Sequence, residues 1–373
     1  MAVHYGTPEH TVRSIQTGFA LAVAIIQISF VFFYAPLAER FGRKRLTIVS
    51  LAIFSIGSAG CTLADGIGPF VFWRIVQGLG ACVGPAVARN LVEEIFKDGQ
   101  REKAHHALWI GQIASPAAAL LVSSVLLRYG GIPPVSLFLT FAGLSMAVFA
   151  CLRLPATGPC AGSNADPMPR DHSTLANSKR LLTDRAFLGP ALTMAFSLAG
   201  AFAYLSDIAF VFDHTFNMKS GVDVWLIGNA AALAALFYCV KERSGMAAHF
   251  RSALARRALQ VRWGVTLALL WMACSGHAEP WQVLALLLVY HQSLGLALGK
   301  LQADAMRVDA GLTSTASGLF GALLNSGVLL GTALPLLPLA QDFTRMAVSL
   351  FLCATLACIT AWNYGRTRGP QAA

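Results

Sequence analysis

Charge is scarce in this sequence: Asp, Glu, Lys and Arg together make up 12% of 373 residues. Soluble domains carry about twice that fraction, so an aqueous fold would leave too much apolar surface uncovered. The chain also lacks any CxxC pair or Cys/His cluster, and its eight cysteines are scattered. That argues against a disulfide framework and against a zinc site. Cys61, Cys82, Cys151, Cys239, Cys274, Cys353 and Cys358 fall in or near apolar runs and read as small buried hydrophobes. No GxSxG, HExxH or phosphate-binding loop occurs, so nothing supports an embedded enzyme. Lys and Arg outnumber Asp and Glu by 28 to 18, a net charge of +10. A basic surface can attract phosphate, but these residues gather on no single stripe, so nucleic acid is not an expected partner. A cleavable signal peptide is not seen either. His4, Glu9, His10 and Arg13 precede a first apolar run that is too long for a signal core.

What the chain has instead is apolar length. Hydrophobic residues make up 56% of it, in long runs separated by short charged stretches, the pattern of helices that cross a lipid bilayer. At about 20 residues per crossing, eleven spans are expected. They cover 14–38, 46–64, 68–92, 104–127, 133–152, 187–212, 224–240, 259–276, 281–302, 313–338 and 344–364. Trp263, Trp281 and Trp362 stand near span ends, where an interfacial aromatic belt is expected.

Basic residues alternate between loops. One set carries Arg40, Arg43, Lys44 and Arg45, then Lys97, Arg101 and Lys103, then Arg170, Lys179, Arg180 and Arg185. It continues with Lys241, Arg243, Arg251, Arg256, Arg257 and Arg262, and the tail at Arg366 and Arg368 agrees. The opposite set holds only Arg13, Arg128, Lys219 and Arg345. The positive-inside rule makes the first set and the C-terminus cytoplasmic, in a multi-pass membrane protein. An odd number of spans then starts the chain outside, which suggests one more helix ahead of Met1. The stretch from Pro155 to Arg185 is rich in Pro, Gly, Ser, Asn and Asp and reads as a linker. It divides an N-terminal half of five spans (14–154) from a C-terminal half of six (187–366), with 155–186 between them.

Two motifs carry chemistry. After the first span comes Tyr34-Ala-Pro-Leu-Ala-Glu-Arg-Phe-Gly-Arg-Lys-Arg45. Gly42 permits a tight turn, Glu39 can serve a helix N-terminus or a neighbouring Arg, and Arg40 and Arg43 belong to the basic cluster. The third span holds Phe72-Trp-Arg-Ile-Val-Gln-Gly-Leu-Gly-Ala-Cys-Val-Gly-Pro-Ala-Val-Ala-Arg89. An arginine inside a span costs roughly 3 kcal/mol near the centre, so Arg74 is expected to be buried and paired. Gly80 and Gly84 form a small-xxx-small pair that lets another helix approach.

The first motif resembles the loop of the major facilitator superfamily, G-x-L-A-D-R-x-G-R-[RK], with Ala35 in place of the leading Gly and Glu39 in place of Asp. The second resembles the R-x-x-Q-G-x-G-x-x-x-G-P-x-x-A-R run of the Bcr/CflA (bicyclomycin-resistance) group of drug–proton antiporters. Arg74, Gln77, Gly78, Gly80, Gly84, Pro85 and Arg89 are in register. Phe187-Leu-Gly-Pro-Ala through Phe202-Ala-Tyr-Leu resembles that group's seventh helix. The match starts at the family's second helix. It departs at Ala114–Ala119, where antiporters show Gly-Pro…Gly-Gly, and at Lys241–Arg262, which has no second copy of the loop motif.

The resemblance implies an all-α membrane protein with two helical-bundle halves around a central cavity, twelve helices in the family and about eleven here. It implies proton-coupled efflux of a small hydrophobic or cationic compound, as in multidrug or antibiotic resistance. The expected partners are a small-molecule substrate, protons and the lipid bilayer, for a monomer with no cofactor and no metal. The alternatives are transport of a specific metabolite such as a sugar or siderophore, or a truncated remnant that no longer transports.

Few ionisable groups lie within the spans, and each is a functional candidate. Asp207 is either a proton carrier or partner of a cationic substrate, or a boundary carboxylate wetted from outside. His291, beside Tyr290, Gln292 and Ser293, either exchanges protons or is a hydrogen-bonded core residue. Lys300, Asp304 and Arg307 share a helical face and read as a solvated boundary network. Gln27, Tyr204, Asn229 and Asn325 can offer hydrogen bonds to a substrate. Gly318, Gly321, Gly327 and Gly331 make the tenth span a close-packing helix.

Overall fold

The structure is a computed structural model. It describes residues 41–81, 132–153, 174–217, 248–336 and 341–367, with positions 84, 87–89, 91–92, 96, 100–101, 103–105, 107–108, 122 and 126 between the first two stretches. Nine α-helices form among these residues: α1 Arg43–Thr62, α2 Ile67–Ala81, α3 Ile132–Arg153, α4 Thr174–Thr183, α5 Arg185–Phe210, α6 Ala248–Ser275, α7 Pro280–Ala305, α8 Thr313–Ala333 and α9 Asp342–Thr367. Among the described residues, seven helices are long and apolar enough to cross a membrane. The expected spans at 14–38 and 224–240, and most of 104–127, lie outside the described residues. So do Gln27, Glu39, Arg40 and Asn229.

Two compact units form, and each includes part of α8. In the first, α1 packs on α2 and α3. Bilayer lipid is as apolar as a leucine side chain, so helices associate there through close packing rather than water release. Small residues make that packing possible: a Cβ at Gly80 would strike the backbone of Ser50 and Phe54 on α1. The outward face of α3 carries Phe138, Phe141, Leu144, Val148 and Phe149, all exposed, as a lipid-facing surface requires. Pro133 and Pro134 lie in the first turn of α3, where missing N–H groups cost no helical bond.

In the second unit α9 packs on α5 and α6, and α7 on α5 and α6. Their shared core contains Ile208, Phe212, Leu269, Leu287, Met346 and Leu350. α8 approaches α5 so closely that a Cβ at Gly327 or Gly331 would land on the carbonyl of Ala195 or Ala199. The Asp184 carboxylate caps α5, accepting from the Ala186 N–H at 2.8 Å. Past Phe210 the helix relaxes into a π turn, Val211–Thr215.

The structure corrects several expectations. The linker interval contains α4, whose Thr174–Thr183 segment is helical because it lies beyond the last of the prolines that break helices. α6 starts at Ala248, eleven residues before the expected edge at 259, and takes Arg251, Arg256, Arg257 and Arg262 into a helix. Ala, Leu and Arg are strong helix formers, so the helix persists where hydropathy fails. Cys61 and Cys353 are buried, but Cys151 and Cys274 are exposed; on a lipid-facing helix a thiol can face outward at little cost. Arg345, counted as a loop residue, sits in the first turn of α9 and is buried.

Candidate functional site

The first motif opens α1. Gly42 takes φ 77°, a backbone conformation that is easy only for glycine, and Arg43 begins the helix behind it. On α2, Arg74 is half-buried and donates to Gln77 Oε1 at 2.9 Å. Gln77 Nε2 donates in turn to Ser58 Oγ on α1 at 2.7 Å, and Ser58 donates to the Phe54 carbonyl at 2.8 Å. The guanidinium also stands 5.1 Å from the Phe70 ring centroid. The arginine and glutamine of the motif therefore hold each other and join α2 to α1. Gly78 is buried beside them.

Arg89, at the far end of the motif, is buried and reaches α8. It donates to Ser317 Oγ at 3.3 Å and to the Ser317 carbonyl at 3.2 Å. Gly321 leaves room for it, since a Cβ there would lie 2.8 Å from Nη2. Asn325 donates to the Gly321 carbonyl at 2.7 Å, so its amide nitrogen serves its own helix.

In the second unit the far end of α5 meets the start of α9 in a charged cluster. Asp207 is fully buried. Arg345 grips it side-on, Nε to Oδ2 at 3.4 Å and Nη2 to Oδ1 at 3.3 Å. The same Nη2 donates to Asp342 Oδ1, and His214 of the π turn bonds Asp342 Oδ2 at 2.8 Å. One guanidinium thus stands between two carboxylates, one fully buried and one within reach of a half-exposed histidine. Chemically, the cluster can release one carboxylate while keeping the other.

A second polar group crosses the middle of this unit. His291 donates through Nδ1 to the Leu287 carbonyl at 2.9 Å, leaving Nε2 as the ring's other functional edge. Its ring stands edge-on to Tyr204, 4.5 Å between centroids, and to Tyr290 at 5.4 Å. Tyr290 receives a 2.6 Å bond from Arg262 on α6. Lys300 and Asp304 bond at 2.6 Å with side chains 14% and 6% exposed, so this pair is largely buried rather than a solvated network; only Arg307 is open.

Reasoning from sequence missed Arg262, Arg345 and Asp342 as members of these groups. For Arg345 the usable signal was Asp342 three residues earlier on a helix start. For Arg262 it was position: Leu259 and Val265, at helical spacing around it, are apolar.

The profile of the Major Facilitator Superfamily matches residues 1–332. The chain is 25% identical over 341 residues to the MFS-type transporter YdgK of Bacillus subtilis (strain 168), covering 90% of this chain and 83% of that protein. It is 32% identical over 170 residues to the multidrug resistance protein MdtL of Escherichia coli O17:K52:H18, covering 45% of this chain and 41% of that one. Among solved structures it resembles the proton:xylose symporter XylE, with TM-score 0.76 and 14% identity, over 96% of this chain and 87% of XylE. The transporter FucP, in an outward conformation, gives TM-score 0.67 at 13% identity, over 96% and 90%. At these identities the structural likeness establishes the fold. Helices of membrane-crossing length, a loop and a span motif of the family's kind at Gly42 and Arg74, and a profile match over most of the length lead to one conclusion: the chain belongs to the Major Facilitator Superfamily.

Proposed function

We propose that this transporter exports small hydrophobic or cationic compounds in exchange for protons, as a member of the Bcr/CflA group. The observation that carries the coupling part is the charged cluster at Asp207: a fully buried carboxylate held by Arg345, which also bonds a second carboxylate, Asp342. A proton on Asp207 removes the charge that holds Arg345 to it. The guanidinium then keeps Asp342 as its partner, so the cation is never left bare. Proton uptake is thereby tied to a change in how α5 and α9 are joined. A single charge crossing 100 mV supplies about 2.3 kcal/mol, a useful drive for export.

The efflux direction is supported by the MdtL match and by the resemblance of the Arg74–Gln77 motif to the Bcr/CflA run; the motif pair secures α2 to α1. The working halves we propose are 14–154 and 187–366, joined by 155–186, with that linker and the C-terminal tail in the cytoplasm of a bacterial cell. His291 and Tyr204 are proposed to contact substrate, because their rings meet on facing turns of α7 and α5. The test is transport in sealed vesicles with an imposed pH gradient. Gradient-driven movement of a cationic dye, absent from vesicles without the protein, supports the reading. Movement of a neutral sugar together with protons, and none of the dye, would replace it with metabolite transport.

A further inference from the structure

Arg262 lies in the interior of the second unit, 1% exposed, among the largest fully buried side chains. A guanidinium has five N–H donors and no acceptor. Here Nη2 serves the Ser197 carbonyl at 2.7 Å and the Tyr290 hydroxyl at 2.6 Å. Nε and Nη1 have no hydrogen-bond acceptor among the described residues. No carboxylate among those residues pairs with the charge, whereas Arg345, Lys300 and Arg180 all have one. The face of Tyr290, 4.5 Å from Cζ, offsets part of the charge. It does not offer the donors an acceptor.

A buried charge without a counter-charge is among the costliest arrangements in a protein. Inside a membrane no bulk water relieves it. A water molecule could accept from Nε or Nη1, yet it would leave the charge uncompensated. Ser197 Oγ adds a second signal. It too is fully buried without a partner, on the residue whose carbonyl already holds Arg262, and a hydroxyl is a donor suited to an anion.

We propose that Arg262 is the centre of an anion site between α5, α6, α7 and α9, and that it takes one small monovalent anion, a halide. The size follows from the walls. A Cβ at Gly200 would strike the Tyr290 hydroxyl and lie 3.2 Å from Nη2 and 3.3 Å from Cys353 Cβ, and Tyr290 and Cys353 are themselves closed off. The site goes beyond proton-coupled export and does not depend on it, because anion binding is read without transport.

The test uses the purified full-length chain in detergent. Thermal unfolding is followed in sodium chloride and in sodium gluconate at equal ionic strength. The proposal expects a saturable upward shift of the midpoint with chloride, lost in Arg262→Met and displaced to higher chloride in Arg262→Lys, which keeps the charge without the planar fork. Should Arg262→Met fail to fold, crystals grown in bromide give an independent answer: an anomalous peak within bonding distance of Nε or Nη1. Vesicle uptake of chloride, followed by quenching of an enclosed halide-sensitive dye, separates the two sources of the anion. Uptake that requires Arg262 assigns the anion to cargo, and a chloride shift without uptake assigns a resident ion. An unfolding midpoint in the native chain that ignores the anion, or bromide crystals with no peak at Arg262, overturns the proposal.

Discussion

Asp207 and Arg345 stand 138 positions apart in the chain and meet as a side-on ion pair, 3.3 and 3.4 Å long, inside the second unit. Both side chains are almost wholly shielded. A pair in this setting is a poor source of stability, since desolvation cancels much of the attraction. It is a good switch, because losing either charge changes the whole local balance.

Replacing Arg345 with Ala takes the guanidinium away from the buried Asp207 carboxylate. We expect a loss of roughly 3–5 kcal/mol of stability, read as a lowered unfolding midpoint in detergent. The double variant Asp207→Ala/Arg345→Ala recovers part of that loss, because the fully buried carboxylate is gone with its cation and Asp342 keeps His214. Equal loss in the single and double variants would show that the two residues are not coupled.

Arg74→Ala removes the donor to Gln77 and frees Gln77 Oε1 while leaving its bond to Ser58. The α1–α2 contact should survive, so expression and insertion stay near normal while transport falls to background. Normal transport by this variant would remove Arg74 from the functional set.

Gly331→Leu places a side chain where the Ala199 carbonyl lies. Overpacking of this kind costs typically about 1–3 kcal/mol, and a backbone obstacle cannot rotate away. The expected result is a lower unfolding midpoint than Gly264→Leu, where a Cβ meets open space. Equal midpoints would mean that α8 does not approach α5 as described.

Cysteine labelling from outside intact cells should miss positions 170 and 368 and reach them only after permeabilisation. This follows from the Lys and Arg bias of the loops. Labelling of either position in intact cells would reverse the orientation.

The sequence shows membrane helices plainly where a run is both apolar and long, as at 46–64 and 281–302, which appear as α1 and α7. It shows them poorly where hydropathy and helix propensity part company. Residues 248–258 are too basic for a span yet rich in Ala, Leu and Arg, and they extend α6. Arg262 was hidden differently: the charge count grouped it with the loop residues although it lies within the apolar run 259–276 and its neighbours one turn away are apolar. Arg74 was legible because its partner is local, three residues along one helix. Asp207 was legible as an isolated acid in an apolar run, but its partner was not, because contact across 138 positions leaves no local pattern.

The central claim is that protons drive transport through Asp207, and it is tested most directly in vesicles carrying the purified protein. Asp207→Asn keeps the shape of the side chain and cannot take up or release a proton. The account predicts that this variant loses accumulation of a cationic dye driven by a pH gradient, yet still exchanges the dye down its own gradient. Accumulation by Asp207→Asn at the rate of the native chain, with the same dependence on pH, would contradict it.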